Sequence, residues 1–179
     1  MKYARTDVVF GGNVPLTLAR YTCRIKEATK GKSKAGNDKV VLRCEIIAPE
    51  KVNVGGQEFM IAGREFQVHQ LLDPQVSYGA GRMLTFLEKT KFPMEKFGDD
   101  ATFDDARCGV LAGFCFDAIL QTIERVAERD PTPEERSAGV KSKVPILDAE
   151  GKQIVFSNDI DVNLEVCLPA SQQTANPVW

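Results

Sequence analysis

Two stretches of apolar–polar alternation, residues 19–26 and 40–47, constrain this chain more than any other feature in it. In the first, Ala19, Tyr21, Cys23 and Ile25 alternate with Arg20, Thr22, Arg24 and Lys26. In the second, Val40, Leu42, Cys44 and Ile46 alternate with Val41, Arg43, Glu45 and Ile47. A strand turns successive side chains to opposite faces, so each stretch predicts a strand with one buried face. The first strand then carries a basic outer face. Between the two lies Lys30-Gly31-Lys32-Ser33-Lys34-Ala35-Gly36-Asn37-Asp38-Lys39, which reads as a flexible cationic loop over residues 29–38. A positive sheet face beside a cationic loop suits a polyanion with a regular backbone, and nucleic acid is the leading candidate.

The 179 residues are enough for one domain with a sizeable core. No apolar run approaches the roughly 18–20 residues of a membrane span, and Met1–Asp7 lacks the apolar segment of a secretory signal. The five cysteines, Cys23, Cys44, Cys108, Cys115 and Cys167, are odd in number and scattered. They read as buried thiols of a reducing cytoplasm, which is the expected location (the host cytoplasm if the chain is phage-encoded). A net charge of −2 conceals an asymmetry. Met1–Lys91 holds 15 Lys and Arg against 9 Asp and Glu, a balance of +6. Phe92–Trp179 holds 8 against 16, a balance of −8. The molecule is expected to have a cationic working face and an acidic remainder.

Along the chain, residues 1–14 read as an N-terminal arm, 15–168 as the domain and 169–179 as a polar, flexible tail. Strands are expected at 16–28 and 39–48, the second ended by Pro49, followed by a Gly55-Gly56 turn. A third strand spans 57–72, bent at Gly63, where the alternation changes register. Residues 80–91 have helical spacing and stop before Pro93, and a short helix begins at an N-cap Thr102. A fourth strand covers 113–126, an exposed loop 128–143, and a fifth strand or strand pair 144–148 and 152–168. Three strands, a helix and two strands give a mainly β fold. The order is that of a five-stranded OB-fold Greek-key barrel with the helix between its third and fourth strands. Its long first–second and fourth–fifth strand loops are free to grip a ligand.

The segments Tyr21-Thr22-Cys23-Arg24-Ile25-Lys26-Glu27-Ala28 and Lys39-Val40-Val41-Leu42-Arg43-Cys44-Glu45-Ile46 resemble the start of bacteriophage-type single-stranded DNA-binding proteins. The later Leu111-Ala112-Gly113-Phe114-Cys115-Phe116-Asp117-Ala118-Ile119 is similar to the same family. The resemblance covers residues 15–125 and rests on a pattern of strands and glycines. It implies an OB-fold that coats single strands during phage DNA replication or recombination, often as a homodimer working with replication or recombination proteins. Several such proteins end in an acidic tail; here no Asp or Glu follows Glu165.

The candidate phosphate ligands are Arg20, Arg24, Lys26, Lys30, Lys32, Lys34, Lys39 and Arg43. Single-strand binders add aromatic platforms to a basic groove. Tyr21, Phe66 and Phe116 fall on apolar faces, whereas Phe59 and Tyr78 adjoin turns and are the stacking candidates. Trp179, the sole tryptophan, is a candidate partner anchor. Gly31-Lys32-Ser33 is not a phosphate loop, because position 26 is Lys26 and a strand follows instead of a helix. His69 is the only histidine, so neither a histidine pair nor a triad can form, and Cys23, Cys44 and His69 lack zinc-ligand spacing. The expectation is therefore a non-catalytic protein with no metal and no cofactor. Two alternatives stand beside it. One is a protein-interaction adaptor using the acidic half and Trp179. The other is a Mg²⁺-dependent nuclease using Asp148, Glu150 and Lys152 with Asp159 and Asp161, although Gly151 places Glu150 in a turn.

Overall fold

The computed structural model describes residues 9–10, 14–72, 79–96 and 103–171. In chain order the strands and helices are β1 (Val9–Phe10), β2 (Ala19–Lys32), β3 (Asp38–Ala48), β4 (Lys51–Val54), β5 (Gln57–Met60), β6 (Glu65–Leu71), α1 (Gly79–Lys89), α2 (Asp105–Gly109), β7 (Cys115–Val126), β8 (Glu128–Arg129), α3 (Pro133–Ser137), β9 (Val144–Pro145), β10 (Val155–Val162) and β11 (Leu168–Pro169). The protein is mainly β.

The principal sheet is antiparallel, in the order β10-β7-β2-β3-β6, with β11 added to β7 beyond the end of β10. β2 sits at its centre, paired to β3 on one side and β7 on the other. Tyr21, Cys23 and Ile25 of β2 point inward, as do Val40, Leu42, Cys44 and Ile46 of β3, and all are buried. Met83, Phe86 and Leu87, one stripe of α1, cover this apolar layer. Phe86 meets Phe116 of β7 edge to face at 5.0 Å, and Phe92 meets Phe114 likewise at 5.0 Å. Arg82 Nε donates to Glu165 Oε1 at 3.0 Å and Lys89 Nζ to the Glu165 carbonyl at 2.7 Å, tying α1 to the 3-10 turn Leu164–Val166.

Several expectations change. The principal sheet is not closed into a barrel: among the described residues β6 and β10 form its two unpaired edges. The expected third strand is two strands in different sheets. β5 joins β4 and β1 in a separate three-stranded sheet, and β6 joins the principal one. Gly63, at φ +83°, takes the corner between them in a conformation that L side chains rarely adopt. β4 was not anticipated. Half of the cationic loop is strand, since β2 runs to Lys32 and β3 starts at Asp38, leaving residues 33–37 as turn. The 128–143 segment is built rather than open: β8 pairs with β9, and α3 carries a capping box between Thr132 and Glu135. The N-cap of α2 is Asp104, whose Oδ1 accepts from Arg107 N at 2.8 Å, not Thr102, which lies outside the described residues. The last strand is interrupted, with β10 ending at Val162 and β11 resuming at Leu168.

One polar contact ties the sheet to the C-terminal segment. The Thr22 hydroxyl donates to Asp117 Oδ1 at 2.7 Å and Ser171 N to Asp117 Oδ2 at 3.1 Å, with Asp117 only 1% exposed. Thr22→Val keeps the shape but strips this buried carboxylate of a donor. Urea denaturation should show a loss of about 1–3 kcal/mol, with Thr22→Ser losing much less. A loss in Thr22→Val below about 0.5 kcal/mol, the range of a neutral surface change, would contradict a structural role for the contact.

Candidate nucleic-acid interface

Of the two register shifts in the β2–β3 ladder, between Thr22 and Cys23 and between Ile25 and Glu27, the second shapes the outer face of β2, β3 and β6. The β2–β3 register slips between Ile25 and Glu27, so Lys26 and Glu27 both point outward and Ala28 returns inward. Lys26 can therefore reach two acids. It pairs with Glu65 and lies 3.8 Å from Glu45 Oε2. Glu45 and Glu65 are direct cross-strand partners, an arrangement that repels unless a cation stands between them. Arg24 closes the cluster, its Nε donating to Glu45 Oε1 at 2.8 Å. The Lys26 ammonium holds the Glu65 carboxyl below its ordinary range. Glu27, turned outward by the same bulge, pairs with Arg43 at 3.3 Å. Arg24, Lys26 and Arg43 are thus each answered by a glutamate, and the face is a checkerboard rather than a uniformly basic surface. These pairs are partly exposed, so each adds little to stability and can exchange for another anion.

Beyond this cluster the β2–β3 hairpin extends as an arm. Its turn is closed by Ser33 N to Asn37 O at 2.8 Å, Gly36 N to Ser33 O at 2.9 Å and Asn37 N to Ser33 Oγ at 3.0 Å, with Gly36 at φ +86°. Residues 30–39 carry four lysines and one aspartate. Lys30 and Lys32 share the face of Ala28 and Val40, being cross-strand partners of Val40 and Asp38. Lys39 lies on the opposite face, its Nζ 3.4 Å from His69 Nδ1. Burial first, then the Lys39 charge, keeps the His69 imidazole below its ordinary pKa, which favours the uncharged ring beside the ammonium. Lys34 is exposed at the tip and forms no ion pair among the described residues.

The structure thus gathers Lys30, Lys32, Lys34 and Lys39 on one arm and sets Arg24, Lys26 and Arg43 in the adjoining ion-paired face. Arg20 stands apart, exposed at the start of β2 beside Ile119, roughly 40 Å from Lys32 at the rise of an extended strand. Phe59 is half-buried in β5 opposite Val52, in the other sheet. Tyr78 and Trp179 lie outside the described residues. Tyr21, Phe66 and Phe116 are buried. His69 and Gln67 are outward members of the face that the sequence reading did not assign to the site. The signal was there: Phe66, Val68 and Gln70 face inward in β6, which turns Gln67 and His69 out.

Cys23 and Cys44 are buried on the inner side of the sheet and His69 is exposed on the outer, so these three cannot converge on one ion. Burial pushes the Cys44 and Cys167 thiols up to about 12 and Cys23 higher still. Asp148 Oδ1 accepts from Glu150 N and Lys152 N, each at 2.9 Å, so it closes an exposed turn, and Lys152 Nζ lies 3.5 Å from Glu150 Oε2. No protein-family model matches the chain, and no curated protein is significantly similar to it.

A second arm flanks the sheet at the other end of the β7–β10 pairing. There Arg129 grips Glu135 with two bonds of 2.7 Å, and Thr132 N adds a third donor at 2.7 Å. The guanidinium, then the Thr132 amide, draw the Glu135 carboxyl down to about 2. A depressed acid stabilises the fold above its unfolded value of about 4.3 and loses that contribution as pH falls toward its folded value. NMR titration should place the Glu135 midpoint near 2, and Arg129→Met should return it toward the ordinary range. A wild-type midpoint in the ordinary range would contradict the clamp.

Proposed function

We propose that this protein binds single-stranded DNA without catalysis and with little base preference, as a coating protein of phage-type DNA replication or recombination. The observation that carries the reading is the lysine-bearing β2–β3 arm, continuous with an outer face of exchangeable ion pairs. We read the strand order β10-β7-β2-β3-β6, with α1 between β6 and β7, as an OB-fold whose final edge stays open. In that fold the second and third strands and the loops joining strands one to two and four to five take oligonucleotides. Here those parts correspond to β3, β6, the lysine arm and the 127–154 arm.

Each part has a physical task. Lys30, Lys32, Lys34 and Lys39 neutralise phosphates and release counterions. Arg24, Lys26 and Arg43 trade glutamate partners for phosphates as the strand is laid down. Gln67 and His69 face the bases, one by hydrogen bonding and the other by its ring. A second reading, a protein-interaction adaptor, is favoured by the exposed Leu147 (55%) and Val155 (44%), with Ile146 and Ile154, on the far arm. It predicts salt-insensitive partner binding and no affinity for oligonucleotides.

The test is anisotropy titration of a labelled dT oligomer in EDTA, with duplex and RNA competitors, across salt concentrations. Binding should weaken steeply with salt, and duplex should compete poorly. The double reversal Lys32→Glu/Lys34→Glu should weaken binding by about 10-fold or more and flatten the log–log salt slope by about 1.4, two cations at about 0.7 each. Its thermal stability should stay nearly unchanged, because both side chains are exposed. Unaltered affinity would remove the arm from the interface. Absence of binding at low salt would overturn the function.

A further inference from the structure

Asp38 occupies the place on the lysine arm that a phosphate would take. Its Oδ2 lies 3.2 Å from Lys30 Nζ, and its Oδ1 pairs with Lys32. Oδ1 is screened from solvent, with the Lys32 ammonium beside it. Lys32 first, then Lys30, hold the carboxyl below the ordinary range, which keeps it ionised at neutral pH. The residue is placed by backbone pairing rather than by the lysines. It faces Lys32 in the β2–β3 ladder, and its carbonyl accepts from Leu72 N at 2.8 Å. The carboxylate therefore stays at hand when the flexible lysine side chains move.

Such a fixed acid competes with any incoming anion for the same two ammonium groups. Being part of the chain, it competes at the high effective concentration of a tethered group, on the order of millimolar or above. A free phosphate or mononucleotide has no such advantage. A strand already held by Lys34 at the tip does, because its next phosphate is tethered too. We propose that Asp38 is an internal competitor at the Lys30–Lys32 seat, so that the arm rejects single anions and admits polyanions with successive phosphates. The inference rests on the nucleic-acid reading above and adds selectivity to that site.

The test uses the full-length protein and Asp38→Asn, with Asp38→Ser as a second variant and thermal denaturation to confirm folding. Removing one screened charge at about 4 Å should tighten dT-oligomer binding about 5-fold. It should also steepen the salt slope by about 0.7, the share of one additional free cation. Inorganic phosphate should shift the Lys30 and Lys32 NMR signals in the variant at concentrations that leave the wild type unmoved. Equal or weaker dT binding by both variants, with the wild type still binding, would overturn this inference alone. If neither wild type nor variant binds the oligomer, the nucleic-acid reading falls and this inference with it.

Discussion

The bulge at Lys26–Glu27 is the constraint on which the rest depends. β2 is the central strand, and its partners on both sides fix which of its side chains meet the core. Unbroken alternation would turn Glu27 inward among Cys44, Leu42 and the α1 stripe, where an unpaired carboxylate costs several kcal/mol. The extra residue keeps Glu27 out and brings Ala28 in. It also sets Lys30 and Lys32 on the opposite face from Lys26, which is why these two lysines stand apart from Lys39 and the cations of the outer face. One register shift thereby sorts the whole charge pattern of the strand.

What results is a surface whose positive charge is stored rather than displayed. Arg24, Lys26 and Arg43 spend the unliganded state on Glu45, Glu65 and Glu27, and Lys30 with Lys32 on Asp38. In water such pairs are worth little, so a polyanion can replace the carboxylates at small cost while gaining counterion release. Lys34 at the tip, without a carboxylate partner among the described residues, and Lys39 beside the His69 imidazole are the cations that a strand would meet unopposed. The charge balance of −2 for the chain is therefore a poor guide to the charge of this face.

The core of this fold was legible because period-two alternation reports burial directly: Val40, Leu42, Cys44 and Ile46 are all completely buried. The 80–91 spacing likewise located α1, whose last turn ends short of Pro93. Residues 29–32 and 38 of the hairpin read as loop because glycine and lysine are poor strand formers in isolation. Cross-strand pairing of Lys30 with Val40 and Gly31 with Lys39 overrides that preference. β4 is four residues between Pro49 and Gly55, too short for any period to register. Whether β6 and β10 pair depends on sheet twist and edge geometry, which no local pattern encodes. The α3 cap was a missed signal, for Thr132 followed by Glu135 is a capping box in sequence as well as in structure. The site was half legible: the cations were visible, their carboxylate partners were not, because a strand pairing brings Glu65 to Lys26 across 39 positions of sequence.

Backbone amide shift mapping of the full-length protein on titration with a dT oligomer tests the central claim most directly. Perturbations concentrated at residues 30–41, Arg43 and 67–69 are the predicted result, with α1 and β10 quiet. Shifts centred on α1 or β10, or saturable binding that leaves the lysine arm unmoved, would contradict the account.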